Sequence, residues 1–118
     1  MTKSINQVVI LGRLGADPEV RSMPNSDKFV ANFSVATNEN WTDKGSGERK
    51  QQTEWHLCVA YNRNAEIIRD YVKKGEVHHF TGRLKTRKWT DANNVERYTT
   101  EVIIDDIILL PQAQKAPN

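Results

Sequence analysis

The segment from residue 82 to 102, GRLKTRKWTDANNVERYTTEV, constrains this chain more than any other. Successive side chains of a strand point to opposite faces, so the segment can be read with period two. Arg83, Lys85, Arg87 and Trp89 fall on one face, and Leu84, Thr86 and Lys88 on the other. Thr90, Asp91, Ala92, Asn93 and Asn94 form a polar connection, and Asn tolerates the left-handed backbone of a tight loop. The chain returns through Val95, Arg97 and Thr99 on one side and Tyr98, Thr100 and Val102 on the other. This predicts a long β-hairpin with cations on both faces near its tip and a tryptophan beside them. Such a ribbon makes a poor core but suits a polyanion that also offers flat rings for stacking. Exposed hairpins also carry Lys and Arg to stay soluble and to discourage edge pairing, but solubility gives no reason for a tryptophan at the tip.

A chain of 118 residues is one domain, and its 37% apolar content predicts a modest core, suited to a small barrel or an oligomer. The net charge of +2 hides an uneven distribution: eight cations and three anions lie between Arg63 and Lys88. Local sign matters more than the total for attracting a polyanion. The single cysteine, Cys58, excludes an internal disulfide and suits a reducing compartment. With no signal-peptide pattern and no membrane-length apolar run, the expectation is a soluble intracellular protein with no membrane partner.

Along the chain, residues 7–14 (QVVILGRL) read as a buried strand, with Gly12 marking a bend or bulge. Residues 15–27 read as a loop, signalled by Asp17-Pro18 and by Met23-Pro24-Asn25-Ser26. Residues 28–38 alternate, with Phe29, Ala31, Phe33 and Val35 on an apolar face, and make the second strand. Residues 38–52 read as a mobile loop carrying Trp41, Lys44, Arg49 and Lys50; a tryptophan there either anchors the loop or meets a ligand, and the second is favoured. The third strand, 53–61, places Trp55, Leu57, Val59 and Tyr61 on one face and His56, Cys58 and Ala60 on the other. Trp55 and Tyr61 then lie about 20 Å apart and would meet different parts of a bound strand. Residues 62–74 form a helix, capped by Asn62 or Asn64, with Ala65, Ile68 and Val72 on one stripe, Lys73 and Lys74 at its C-terminal dipole and Gly75 closing it. The fourth strand starts at Glu76, the fifth runs from Val95 to Ile104, and Asp105–Leu110 continues it or adds a short strand. Three strands, a helix and two strands give an all-β fold: a five-stranded Greek-key barrel, the OB-fold, with the helix between strands three and four. The domain spans 1–110, followed by a short polar tail, 111–118.

Catalytic readings are weak. Asp105 and Asp106 are adjacent on a strand and face opposite ways, as solvated charges do. His56, Cys58, His78 and His79 lack the spacing of a structural zinc site, so neither metal nor cofactor is expected. Cys58 sits among apolar neighbours as a small buried thiol, not a nucleophile.

Several segments in order resemble the replicative single-stranded DNA-binding proteins of bacteria and phages, over roughly residues 4–104. They are Asn6-Gln7-Val8; Gly12-x-Leu14-Gly15-x-Asp17-Pro18-Glu19-Val20-Arg21; and Gln52-Thr53-Glu54-Trp55-His56. The most specific is Gly82-x-Leu84-x-Thr86-Arg87-Lys88-Trp89-Thr90-Asp91, followed by Arg97-Tyr98-Thr99-Thr100-Glu101-Val102. The resemblance implies sequence-independent binding and protection of single-stranded DNA during replication, recombination and repair, with no enzymatic activity and a cytoplasmic, nucleoid-associated location. It implies that Trp41, Trp55, Tyr61 and Trp89 stack on bases, Tyr61 standing where relatives usually carry Phe. It implies phosphate contacts from Lys3, Lys44, Lys50, Arg63, Lys73, Lys74, Lys85, Arg87, Lys88 and Arg97, with Arg13 added where relatives often carry Asn. His56 resembles a subunit-interface histidine, which implies a homotetramer, with a dimer as the alternative.

The chain also departs from the family. Gln7 and Leu57 replace frequent cations, and His78 replaces an apolar strand residue, which predicts a packing difference in the barrel or interface. Relatives often continue into a long tail with an acidic tip that recruits repair and replication enzymes; this sequence ends at Ala116-Pro117-Asn118, so recruitment through such a tip is not expected. Two readings compete with single-stranded DNA: a protein partner in the same groove, which the four aromatics argue against, and RNA, since stacking and cations do not report the 2′-hydroxyl.

Overall fold

The computed structural model describes residues 3–113, so the last five tail residues, 114–118, lie outside the described residues. The elements are β1 (Val8–Leu14), β2 (Glu19–Ser22), β3 (Phe29–Thr42), β4 (Arg49–Tyr61), α1 (Arg63–Tyr71), β5 (Val77–Thr90) and β6 (Glu96–Ile108). The sheet order is β1-β5-β6-β4-β3-β2, and a further pairing of β1 with β3 closes five strands into a barrel. All pairings are antiparallel except β4 with β6, which run parallel at Cys58–Val102 and Val59–Ile103. The all-β OB-type barrel expected from the element order is the fold found.

The alternating apolar residues explain the barrel. Ile10 and Leu14 of β1, Ala31, Phe33 and Val35 of β3, Cys58 and Ala60 of β4, Phe80 of β5, and Val102 and Ile104 of β6 all point inward. Phe33 and Phe80 meet at its centre with ring centroids 5.3 Å apart. Gly12 marks the closure: a Cβ there would stand 2.4 Å from the carbonyl oxygen of Ala36, so only glycine lets β1 approach β3 this closely.

Helix α1 seals the barrel with Ala65 and Ile68, and Val72 just beyond it is equally buried. It is shorter than the sequence suggests. Val72 turns to extended backbone (φ −116°, ψ 124°), so Lys73 and Lys74 lie past the helix rather than on its last turn. Gly75 then takes φ +84° and donates its N–H to the Leu14 carbonyl, tying the turn to β1 rather than capping the helix. Asn62 occupies the N-cap position at φ 55° without a side-chain cap, and Asn64 instead donates to the carbonyls of Ile104 and Asp105.

Two further expectations are corrected, and of the two alternatives for Asp105–Leu110 the structure shows continuation. The 15–27 loop contains β2, a four-residue edge strand on β3 whose sequence, EVRS, has too few apolar residues to signal a strand. The 38–52 loop is largely a β-ladder, paired as far as Thr42 with Arg49, so Trp41 lies in β3. The fifth strand continues to Ile108, past a bulge between Thr81 and Gly82 that leaves Asp105 out of the ladder and lets its carboxylate accept from Arg83 at 2.7 Å.

His78 is buried at 3% exposure, and both ring nitrogens are satisfied. Nδ1 accepts the Leu110 N–H (3.1 Å), so Nε2 carries the proton and donates to Glu76 Oε1 (3.2 Å). The Gln112 side chain accepts the Val77 N–H and donates to the Val77 carbonyl, as a neighbouring strand would. The start of the expected tail is therefore held against β5.

Candidate nucleic-acid interface

Two hairpins outgrow the barrel and become arms. The first joins β3 to β4, where every residue from Asn38 to Thr42 and from Arg49 to Trp55, Thr42's neighbour Asp43 aside, is exposed. The second joins β5 to β6 and is exposed almost throughout from Lys85 to Thr99. Neither has a core of its own, so cross-strand pairs and the turns hold them.

Between the outer face of β3–β4 and the second arm runs a groove of about 480 Å³. Its floor carries Asn32, Ser34, Trp55 and Leu57; Gly15 and Asp17 flank it, and Arg87, Thr99 and Glu101 of the arm form the opposite wall. Trp55 is 55% exposed. It lies against Gly15, where a Cβ would come within 2.4 Å of the ring atom Cζ3. On the facing arm, Trp89 Nε1 donates to Thr99 Oγ1 (2.7 Å), which fixes that indole beside the groove wall. Arg87 Nε donates to Glu101 Oε1 at 2.9 Å on the same face.

The alternation sorts the four aromatics. Tyr61 shares the outer face of β4 with Trp55 and is half-exposed. Trp89 belongs to the groove face of the second arm, opposite Arg97 in register. Trp41 differs: it pairs with Lys50 on the parity of Thr37, Glu39, Gln52 and Glu54, which is the reverse face of the first arm from Trp55. The structure thus brings Trp55 and Arg87 into one groove, ties Trp89 to its wall residue Thr99, places Tyr61 farther along the outer face of β4, and leaves Trp41 on another face.

The cations divide by what they touch. Arg63 pairs with Glu66 (3.4 Å), Arg87 with Glu101 (2.9 Å), Lys88 with Glu96 (3.0 Å) and Arg97 with Asp91 (2.9 Å). The Arg63–Glu66 and Lys88–Glu96 pairs are exposed on both sides, worth about 0–1 kcal/mol each, so an arriving phosphate can displace the acid cheaply, whereas Glu101 and Asp91 are largely covered. Among the described residues, Lys3, Lys44, Lys50, Lys73, Lys74 and Lys85 form no ion pair, and Arg13 donates to the Gly75 carbonyl at 2.5 Å. Arg13 and Lys74 line a separate hollow with Gln112, away from the aromatic groove. His56, half-buried, is 2.8 Å from Thr37 Oγ1 through Nε2 and lines a shallow hollow with Glu39 and Glu54.

The Single-strand binding protein family model matches residues 5–110. The chain belongs to this family. A solved structure described as a Plasmodium falciparum SSB complex with ssDNA is similar at 37% sequence identity and a TM-score of 0.83, covering 94% of this chain and 99% of that one. The family is one of DNA-binding proteins without enzymatic activity, and the all-β barrel with one helix agrees with its OB-fold.

Within that family architecture, each arm of this chain has its tip tied by one aspartate. Asp43 accepts from the Ser46 hydroxyl (2.7 Å) and the Ser46 N–H (3.2 Å), and these bonds hold its carboxyl below the ordinary range. Asp91 accepts from the Val95 N–H (3.0 Å), from Arg97 Nε (2.9 Å) and from the Asn93 N–H (2.9 Å); these likewise lower its pKa. Burial pushes the Cys58 thiol up to about 12, which keeps it protonated and unreactive.

Sequence reasoning missed Gly15, Asn32, Ser34 and Glu101 as groove residues. The alternation of β3 places Asn32 and Ser34 beside Trp55's face, but only the register, Ser34 with Leu57 and Ala36 with Trp55, shows it. That register also puts Arg49 on Trp55's side of the first arm and Lys50 on the reverse side.

Proposed function

We propose that this protein binds single-stranded DNA without sequence preference along the groove between β3–β4 and the second arm, and so protects it during replication, recombination and repair. The observation that carries this reading is an open groove with Trp55 on its floor and Arg87 and Thr99 on the facing wall, where Thr99 also holds the Trp89 indole. Bases stack on Trp55, Trp89 and Tyr61, and on Trp41 where the strand rounds the first arm. Every base has a π-face, so this contact is blind to sequence, and a duplex hides those faces. Lys85, Arg87, Lys88 and Arg97 on the second arm, Lys44 and Lys50 on the first, Arg63 beside Tyr61, and Lys3, Arg13, Lys73 and Lys74 around the body attract the phosphates. Counterion release then makes affinity fall steeply with salt.

The binding domain is assigned to residues 1–110, acting at the nucleoid in the cytoplasm. It works as an assembly of identical subunits, a homotetramer. Support comes from a barrel face that leaves Val9, Leu11 and Ile108 exposed beside an edge of β1 that is open among the described residues, with His56 as a second contact point.

Tryptophan fluorescence during titration with oligo-dT, at low and high salt, tests the binding. Expected is strong quenching that saturates at a fixed number of nucleotides per subunit, with a midpoint that weakens as salt rises. Absence of quenching, with no retention of the oligonucleotide, refutes it.

A further inference from the structure

The reverse face of the second arm carries an aromatic that the groove does not use. Tyr98 is 68% exposed, more than any of the three tryptophans. It stands opposite Lys88 in the β5–β6 ladder, on the face away from Trp89 and Arg87. Directly opposite residues have Cβ atoms about 5 Å apart, which sets the two side chains at neighbouring positions on one face. The next pair on this face, Thr86 and Thr100, is joined by a 2.8 Å hydroxyl bond, which keeps the surface flat and polar. Folding has little use for a tyrosine there, since an arm without a core buries almost none of the ring.

The same pairing occurs twice elsewhere on the arms. Trp89 stands opposite Arg97 on the groove face, and Trp41 stands opposite Lys50 on the reverse face of the first arm. Each joins a ring that can stack on a base to a cation that can meet the adjoining phosphate. Lys88–Tyr98 is the third example. Four of the arm's five cations, Arg83, Lys85, Arg87 and Arg97, share the groove face; on the reverse face Lys88 stands 3.0 Å from Glu96, an exposed pair that an arriving phosphate can displace. At the arm's base, the Asn6 amide bonds both main-chain groups of Leu84, which brings the start of the chain, with Lys3, to this region.

We propose that Tyr98 and Lys88 form a second stacking site, on which a further stretch of the same single-stranded DNA lies after rounding the tip of the arm. This rests on the groove reading above. A short oligonucleotide fills the groove alone, and a long one reaches both faces. The ring carries the contact, not the hydroxyl, so Tyr98→Phe retains it.

The test compares wild type, Tyr98→Ala, Tyr98→Phe, Lys88→Ala and Trp55→Ala, each as the full chain. Each is titrated with a short oligo-dT of about eight nucleotides, within the range one OB fold occupies, and with long poly-dT. Tyr98→Ala is expected to weaken long-DNA binding by about fivefold or more, the loss of one stacked base, and to reduce the nucleotides occluded per subunit. Short-oligonucleotide affinity is expected to stay within about twofold, since that ligand engages only the groove's stacking contacts. Tyr98→Phe should match wild type, and Lys88→Ala should lower the salt dependence with long DNA. Unchanged long-DNA binding by Tyr98→Ala overturns the proposal. So does an equal loss with both lengths, or a Tyr98→Phe variant as weak as Tyr98→Ala. Sedimentation of the DNA-free protein adds one more outcome: if Tyr98→Ala changes the subunit count, the face contacts another copy and the proposal fails. Trp55→Ala separates the two readings, because it must weaken the short oligonucleotide if the groove is the primary site.

Discussion

Trp55 depends on a residue that contributes no side chain. A Cβ on Gly15 would meet the far edge of the indole at 2.4 Å, and that edge belongs to a half-exposed ring that can swing outward. Gly15→Ala should therefore change stability by only about 0.5 kcal/mol, as surface substitutions usually do. It should nevertheless displace the stacking surface, with weaker oligo-dT binding and smaller fluorescence quenching; unchanged titrations would show that the indole needs no such support. Direct removal of the rings costs more: Trp55→Ala and Trp89→Ala should each weaken binding by about tenfold, within the ~1–3 kcal/mol of one stacked base, while circular dichroism stays that of the folded domain. His78 makes the opposite case, a polar residue spent on structure. Its Nδ1 is the acceptor for the Leu110 N–H and its Nε2–H faces Glu76, so a nonpolar replacement strands the amide. His78→Leu should lower unfolding stability by about 1–3 kcal/mol in denaturant titration, the cost of an unsatisfied partly buried donor. The sequence marked His78 as a polar residue at an apolar strand position; it did not show that its partners would be the Leu110 N–H and an acid two residues back.

At the scale of elements, the barrel was legible and the arms only half so. Apolar residues every second position, as in Phe29–Val35 and Cys58–Ala60, reveal a strand because one face is buried. Asn38–Thr42 and Arg49–Gln52 are polar on both faces, so no periodicity distinguishes them from a loop, and the Trp41–Lys50 pairing came only with the ladder. The second arm was readable because Trp89, Tyr98 and the Asn-rich turn mark it, and Asn94 takes the left-handed backbone (φ 64°) expected of that turn. The same turn makes a pH prediction. The Val95 N–H, Arg97 and the Asn93 N–H lower the pKa of Asp91 from its ordinary 3.8. A depressed folded pKa gives support that is complete above the ordinary value and is lost as pH falls through the folded one. The tip should therefore hold at neutral pH and loosen only below about 3.8, seen as a falling hydrogen-exchange protection factor at Val95 once the slower intrinsic exchange in acid is divided out. Asp91→Asn keeps an acceptor oxygen but no charge, and should exchange faster at neutral pH with no further acid step.

The whole molecule leaves one face of its barrel unfinished. Leu11, His79 and Ile108 stand in one row across β1, β5 and β6, with Val9, Thr81 and Asp106 in the row beside it. Val9 is 59% exposed, Leu11 57% and Ile108 50%, whereas the inward side chains of the same strands are buried almost completely. In the middle of this face, His79 Nδ1 is buried with no hydrogen-bond partner among the described residues, and such an atom calls for a donor or acceptor from outside. The adjoining edge of β1 is open as well: β3 pairs only with Arg13 and Leu14, which leaves Val8–Gly12 unpaired on that side among the described residues. An apolar face, an unmatched polar atom and a free strand edge together favour a second copy of the chain, since a symmetric partner brings an edge of its own. If the copies meet here, Leu11→Lys places charges against each other across the axis. Light scattering should then show the assembly fall to smaller species at micromolar protein, and the midpoint of unfolding should lose its dependence on protein concentration. Short-oligonucleotide binding should survive in the dissociated subunit, because Trp55, Trp89 and Arg87 all come from one chain. An unaltered subunit count would place the contact elsewhere, and the Thr37–His56 face of the first arm would be the next surface to substitute.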